Sequence, residues 1–180
     1  AFDALERSIL QGPFDAASCA RTFTLAMADA LQVAWLPRLV SELSRRMPLT
    51  RLRVVGIDAL LSLGDLGSGE VDLHVGVRAT GPGIHAEPLY DERTVLVARK
   101  GHPACAKRLS TSQLDALSHV AVELAPGRGF RDPIAGAYQR ARLARQVSVT
   151  VASFAAAAAI AAASDLVATL PESLVRAQGK

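Results

Sequence analysis

The stretch from Thr22 to Pro48, TFTLAMADALQVAWLPRLVSELSRRMP, constrains the fold more than any other part of the chain. It reads as a strand, a turn and a helix in direct succession. Thr22 to Met27 is a short apolar run rich in strand formers. Asp29 then offers a short side chain suited to capping free backbone N–H groups, and Gln32 three residues on completes a capping-box pattern. Beyond them Leu36, Leu39, Val40, Leu43 and Met47 fall at helical spacing, while Arg38, Glu42, Arg45 and Arg46 take the opposite face. Pro37 is expected in the first helical turn, where its missing N–H matters little.

The same alternation continues along the chain. Arg51 to Ile57 is a strand, Asp58 a candidate cap for a helix over Ala59 to Leu66, and Gly67-Ser68-Gly69 its end. Val71 to Val77 is the next strand. Strand, short helix and strand at this spacing predict a right-handed crossover between parallel strands, so this half is α/β. A turn-rich stretch then leads to a strand at Thr94 to Ala98, which Lys100-Gly101-His102-Pro103 ends abruptly. The passage from a first lobe to a second is placed there. The second half predicts a helix at Leu109 to Leu117 capped by Ser110 or Thr111, and a strand at His119 to Leu124. After the loop Ala125 to Phe130, a helix opens at Asp132-Pro133 and runs to about Ala144. A strand at Gln146 to Ala152, an alanine-rich helix capped by Ser153, a strand at Asp165 to Leu170 and a helix from Pro171 complete the series.

Residues 1–12 place Phe2, Leu5, Ile9 and Leu10 at near-helical spacing before Gly12-Pro13. They read either as the tail of a longer helix entering from upstream or as an ordinary first helix. Of the 180 residues, 50% are hydrophobic and 21% charged, the balance of a globular protein with a substantial core. A net charge of +3 with dispersed basic residues does not by itself mark a nucleic-acid surface. Cys19 and Cys105 make no metal-ligand spacing and read as two reduced thiols, with a single bridge the alternative. Export is not expected, since no charged-then-apolar leader opens the sequence. Phe154 to Ala163 is apolar but far shorter than the roughly 20 residues of a membrane helix, so a buried helix is expected and no membrane partner.

No catalytic motif stands out. His74, His85, His102 and His119 lack a partner ligand at i, i+4, so neither a metal site nor a cofactor is expected. No G-x-S-x-G elbow is present, and Gly127-Arg128-Gly129 lacks the rest of a phosphate-wrapping loop. What recurs is geometric. Strands that end in a short polar segment and then enter a helix occur at Ala28-Asp29, Ile57-Asp58, Leu124 to Phe130 and Ala152-Ser153-Phe154. In open parallel sheets, ligands bind outside the carboxyl ends of the strands, where helix N-termini offer N–H groups and a favourable dipole. Arg78 and Arg128 are placed to hold a carboxylate bidentately. For each position taken singly, a plain helix cap or surface charge is the alternative.

In order and spacing these pieces resemble the effector-binding domain of LysR-type transcriptional regulators. The resemblance rests on Arg21-Thr22-Phe23, on Leu36-Pro37 with Pro48, on Gly69-Glu70-Val71-Asp72-Leu73 before Val75-Gly76, and on Val95-Leu96-Val97 ahead of His102-Pro103. It ends on Ser164-Asp165-Leu166-Val167-Ala168-Thr169-Leu170-Pro171. It implies an α/β, two-lobed fold like the type 2 periplasmic solute-binding proteins, each lobe a mainly parallel sheet flanked by helices. It makes residues 1–12 the end of a linker helix, 13–100 lobe I and 101–180 lobe II. Family members complete lobe I with a further strand, a return crossover and a helix, a segment expected beyond Lys180. By position, Asp29, Gln32, Asp58, Arg78, Arg128, Phe130, Ser153 and Phe154 fall at the loops that line the family's effector cleft.

The resemblance further implies a small-molecule effector, a homodimer or higher homo-oligomer, and contact with DNA only through a separate N-terminal winged helix-turn-helix. The expected location is cytoplasmic. A solute-binding protein for transport shares the fold but predicts an export signal. An enzyme on the same architecture would need a base or nucleophile in the cleft, with Asp29 or Asp58 the nearest candidates, and none is expected here.

Overall fold

The computed structural model describes residues 14–58, 66–76, 81–105, 108–124 and 133–179. β1 (Thr22–Met27) has the bounds that its apolar run predicts, and Thr24 to Met27 are all buried. It is the middle strand of a three-stranded sheet, in parallel with β2 (Arg51–Val55) on one side and β3 (Leu73–Val75) on the other. Parallel neighbours require crossovers, and α1 (Asp29–Arg46) supplies the first. The Asp72 carboxylate ties this sheet at its other end, accepting from the Thr24 amide at 2.8 Å and pairing with Arg21.

Three local expectations in this region are corrected. The N-cap of α1 is Ala28, in extended conformation and without a side-chain cap, so Asp29 is already helical and does not cap its own helix. Gln32 does not complete a capping box either: its Nε2 donates to the Met27 carbonyl at 3.1 Å, fastening the helix to the end of β1. Pro37 lies inside the helix rather than in its first turn. It faces solvent, as does Val33 one turn earlier, so the carbonyl that proline leaves without an N–H donor lies on the exposed side of the helix. Ile57 and Asp58 are also helical already, so Asp58 does not sit at a cap position; residues 59–65 of the helix expected there lie outside the described residues.

The second sheet has the order β4-β7-β5-β6, formed by β4 (Thr94–Val97), β5 (Ser118–Val122), β6 (Gln146–Val151) and β7 (Val167–Pro171). β5 runs parallel to both β6 and β7, while β4 joins β7 antiparallel. Its helices are α2 (Thr111–Asp115), α3 (Pro133–Arg140), α4 (Phe154–Ala163) and α5 (Glu172–Gln178). Ser110 caps α2 in a full capping box with Gln113, one of the two caps proposed from sequence.

The main core joins the second sheet to the helix that follows β1. Val120, Ala168 and Leu170 from the second sheet meet Ala157 and Ala161 of α4, Leu174 of α5, and Ala30 from the first turn of α1. Alanine on the inner face of α4 lets the helix sit close against the strands, and larger side chains there would overfill a dense interior. Burial of Leu170 and Leu174, each about 1% exposed or less, contributes roughly 1.5–3 kcal/mol apiece. A smaller cluster of Ala26 and Val71, with Val55 and Leu66 against it, closes the first sheet. Cys19 and Cys105 are free thiols. Among the described residues no helix is long and apolar enough to cross a membrane.

Candidate functional site

β1 and β6 belong to different sheets, yet their carboxyl ends meet. Each strand leads into a helix, and the first residues of those helices touch. The Asp29 carboxylate, displaced from its own helix terminus, reaches the N-terminus of α4. It accepts the Ser153 hydroxyl at 2.7 Å, the Phe154 amide at 3.2 Å and the Ala155 amide at 2.8 Å. Ser153, the N-cap of α4, accepts the Ala156 amide at 3.0 Å.

The sequence reading anticipates unpaired N–H groups at this helix N-terminus. They are paired, because a carboxylate from the other sheet fills the position where the helix dipole favours negative charge. Asp29, Ser153 and Phe154 are therefore brought together, with Gln32 one turn behind them. Asp58 is not part of that cluster: it is exposed, and its carboxylate folds back over Gly56, where any side chain would collide with it. Arg78, Arg128 and Phe130 lie outside the described residues.

Sequence reasoning missed two further ties. His102, expected only as a residue before proline, is buried; its Nδ1 accepts the Ala104 amide at 3.0 Å. Nε2 must then carry the proton, and it donates to the Asp165 carbonyl at 3.2 Å, fastening the end of β4 to the turn before β7. Glu92 caps α5, accepting the Ser173 hydroxyl at 2.5 Å and its amide at 3.3 Å. Short polar residues near helix starts are the only trace of such contacts in a sequence. Among the described residues no cluster of three His, Cys, Asp or Glu is placed to hold a metal ion. A cavity of about 490 Å³ opens elsewhere, under α3, and none of the sequence-predicted site residues lines it.

Two helix-flanked, mainly parallel sheets whose strand ends meet at a polar junction define a two-lobed α/β domain of the periplasmic-binding-protein type. The chain matches the LysR substrate binding domain over residues 17–180, and it belongs to that family. It is 33% identical over 161 residues to the HTH-type transcriptional activator NagR of a Ralstonia species, covering 88% of this chain and 52% of that protein. The chain thus spans about half the length of the curated relatives it matches. Among solved structures it resembles the probable transcriptional regulator PA0477 from Pseudomonas aeruginosa, with a TM-score of 0.81 and 31% identity over 99% of this chain and 59% of that one. The BenM effector binding domain, solved with its effector benzoate, shares the fold at a TM-score of 0.65 and 17% identity, over 89% of this chain and 73% of that one.

Proposed function

We propose that this chain is the sensing part of a DNA-binding transcriptional regulator, and that a small-molecule effector binds where Asp29 meets Ser153 and Phe154. The observation that carries this reading is the junction itself. One carboxylate of the first lobe holds the helix N-terminus of the second, so anything that competes for those donors alters how the lobes sit together. An effector shifts that balance only by as much as its affinities for the two arrangements differ. Arg78 and Arg128 suit an acidic effector, in keeping with the benzoate of BenM.

In this reading residues 1–12 are the end of a linker helix, the β2-β1-β3 sheet forms lobe I and the β4-β7-β5-β6 sheet lobe II, so that β4 moves the boundary expected after residue 100 to a point before Thr94. DNA is contacted through a winged helix-turn-helix outside these residues. The protein works in the cytoplasm as a homodimer or higher homo-oligomer, with the α1 surface carrying Trp35 and Val40, each 40% or more exposed, as a pairing face. It senses its ligand and does not convert it. Thermal-shift screening against small metabolic acids tests the reading: stabilising compounds should be recovered unaltered, and turnover of any of them would sink it.

A further inference from the structure

The face of the second sheet turned away from the main core holds a titratable group that is buried and alone. His119 on β5 is fully buried, and neither ring nitrogen has a hydrogen-bond partner. Strand alternation puts it there: Val120, Ala168 and Leu170 point into the core, so His119 and its register partner Val167 point the other way. A neutral imidazole in such a place forgoes its hydrogen bonds, whereas a charged one would forgo its hydration as well, which a buried site tolerates least.

The cover over His119 is thin. The Tyr138 ring of α3 meets it edge-on at 5.4 Å, and the Arg145 guanidinium lies 5.7 Å from the centre of the Tyr138 ring. From Ile134 to Arg140 no residue of α3 is fully buried. Beneath the helix, Ala135, Tyr138 and Gln139 line the cavity of about 490 Å³, so the Tyr138 ring has open space beside it. On its other side His119 is backed by its own sheet and the core behind Val120. Moving Tyr138 aside therefore admits water to the imidazole with less disruption than parting the strands. Among the charged groups nearby, Arg145 opposes a second positive charge. Glu123 lines the cavity and Asp115 of α2 holds the Ala144 amide at 2.7 Å, and neither hydrogen-bonds the ring. Burial and the Arg145 charge accordingly hold the imidazole pKa below its usual value.

We propose that His119 and Tyr138 form a pH-sensitive latch: when the imidazole takes up a proton, the Tyr138 ring swings into the adjoining cavity and α3 loosens from the sheet, while the core behind β5 stays intact. The hydrated imidazole of the open form binds its proton near pH 6.5 and that of the closed form at lower pH. Opening is thus favoured as the pH falls below 6.5, by up to about tenfold per pH unit. The latch lies within the second lobe and does not depend on where an effector binds.

NMR of the 180-residue chain between about pH 7.5 and 5 tests it. Contacts between the His119 and Tyr138 rings should fade as His119 titrates. Amide protection factors over Ala137 to Arg140 should fall about tenfold or more, while those over Ala157 to Ala161 of α4 stay within about twofold. His119→Gln should abolish the pH dependence in α3, and the comparison of α3 with α4 in the unaltered chain stands even if that variant fails to fold. Equal loss of protection in both helices would overturn the latch in favour of opening of the whole domain. Ring contacts that persist once His119 is charged would overturn it as well.

Discussion

Asp29 and Ser153, 124 positions apart in the chain, share a hydrogen bond in which the serine hydroxyl donates to the carboxylate at 2.7 Å. With the amides of Phe154 and Ala155 on the same carboxylate, this contact joins the first turn of α1 to the first turn of α4. It couples the ends of two strands that belong to different sheets.

Replacing either partner should therefore weaken the whole domain. Asp29→Asn removes the charge and turns one acceptor into a donor, with an expected loss of about 1–3 kcal/mol, and Ser153→Ala should lose about 1 kcal/mol as a missing N-cap. Because the two share one network, a double-mutant cycle in urea should return a coupling of about 0.5–3 kcal/mol. Strictly additive losses would show that the contact contributes nothing of its own.

Small residues on the inner face of α4 allow that approach. Ala157 is fully buried, so Ala157→Leu should destabilise by about 1–3 kcal/mol through overpacking. Ala159→Leu, on the exposed side, should stay within about 0.5 kcal/mol. Thermal unfolding of the two variants side by side checks the assignment of faces, and equal losses would contradict it.

Burial holds the pKa of His119 below its usual 6.5, and the nearby Arg145 charge adds to the shift. The unfolded chain therefore takes up a proton near pH 6.5 while the folded chain does not. Stability should be full above that value and fall as the pH drops toward the lowered folded pKa, by up to about 1.4 kcal/mol per pH unit for this one proton. Urea midpoints between pH 7.5 and 5.5 measure the slope. His119→Leu should flatten it, and an unchanged slope would assign the proton elsewhere.

Arg128→Ala should weaken binding of an acidic effector about tenfold, the loss typical of a charged hydrogen bond. Calorimetry with an effector found by screening decides the matter: an unchanged affinity removes Arg128 from the site.

Much of the architecture was legible locally. The apolar run of β1 predicted its bounds, Ser110 and Ser153 were recognisable as caps, and the spacing of Leu36, Leu39 and Leu43 marked the inward face of α1. Asp29 was singled out correctly as a capping carboxylate but assigned to the wrong helix. Its residue type announces an acceptor, whereas the donor it finds depends on which distant helix packs alongside. His119 read as the start of a strand with no special role, because period-two alternation assigns a side chain to a face without saying what covers that face.

By itself, then, the sequence determined the alternation of strands and helices, their parallel crossovers and the residue types at their ends. These depend on periodicities of two and 3.6 residues and on capping groups within a turn of their targets. Only the tertiary structure decided that β4 joins the second sheet, that Asp29 closes the N-terminus of α4, and that the His119 ring nitrogens and the Thr169 hydroxyl lie buried without hydrogen-bond partners. Those outcomes bring together residues remote in the chain, and they follow from which surfaces pack together once the loops between them have closed.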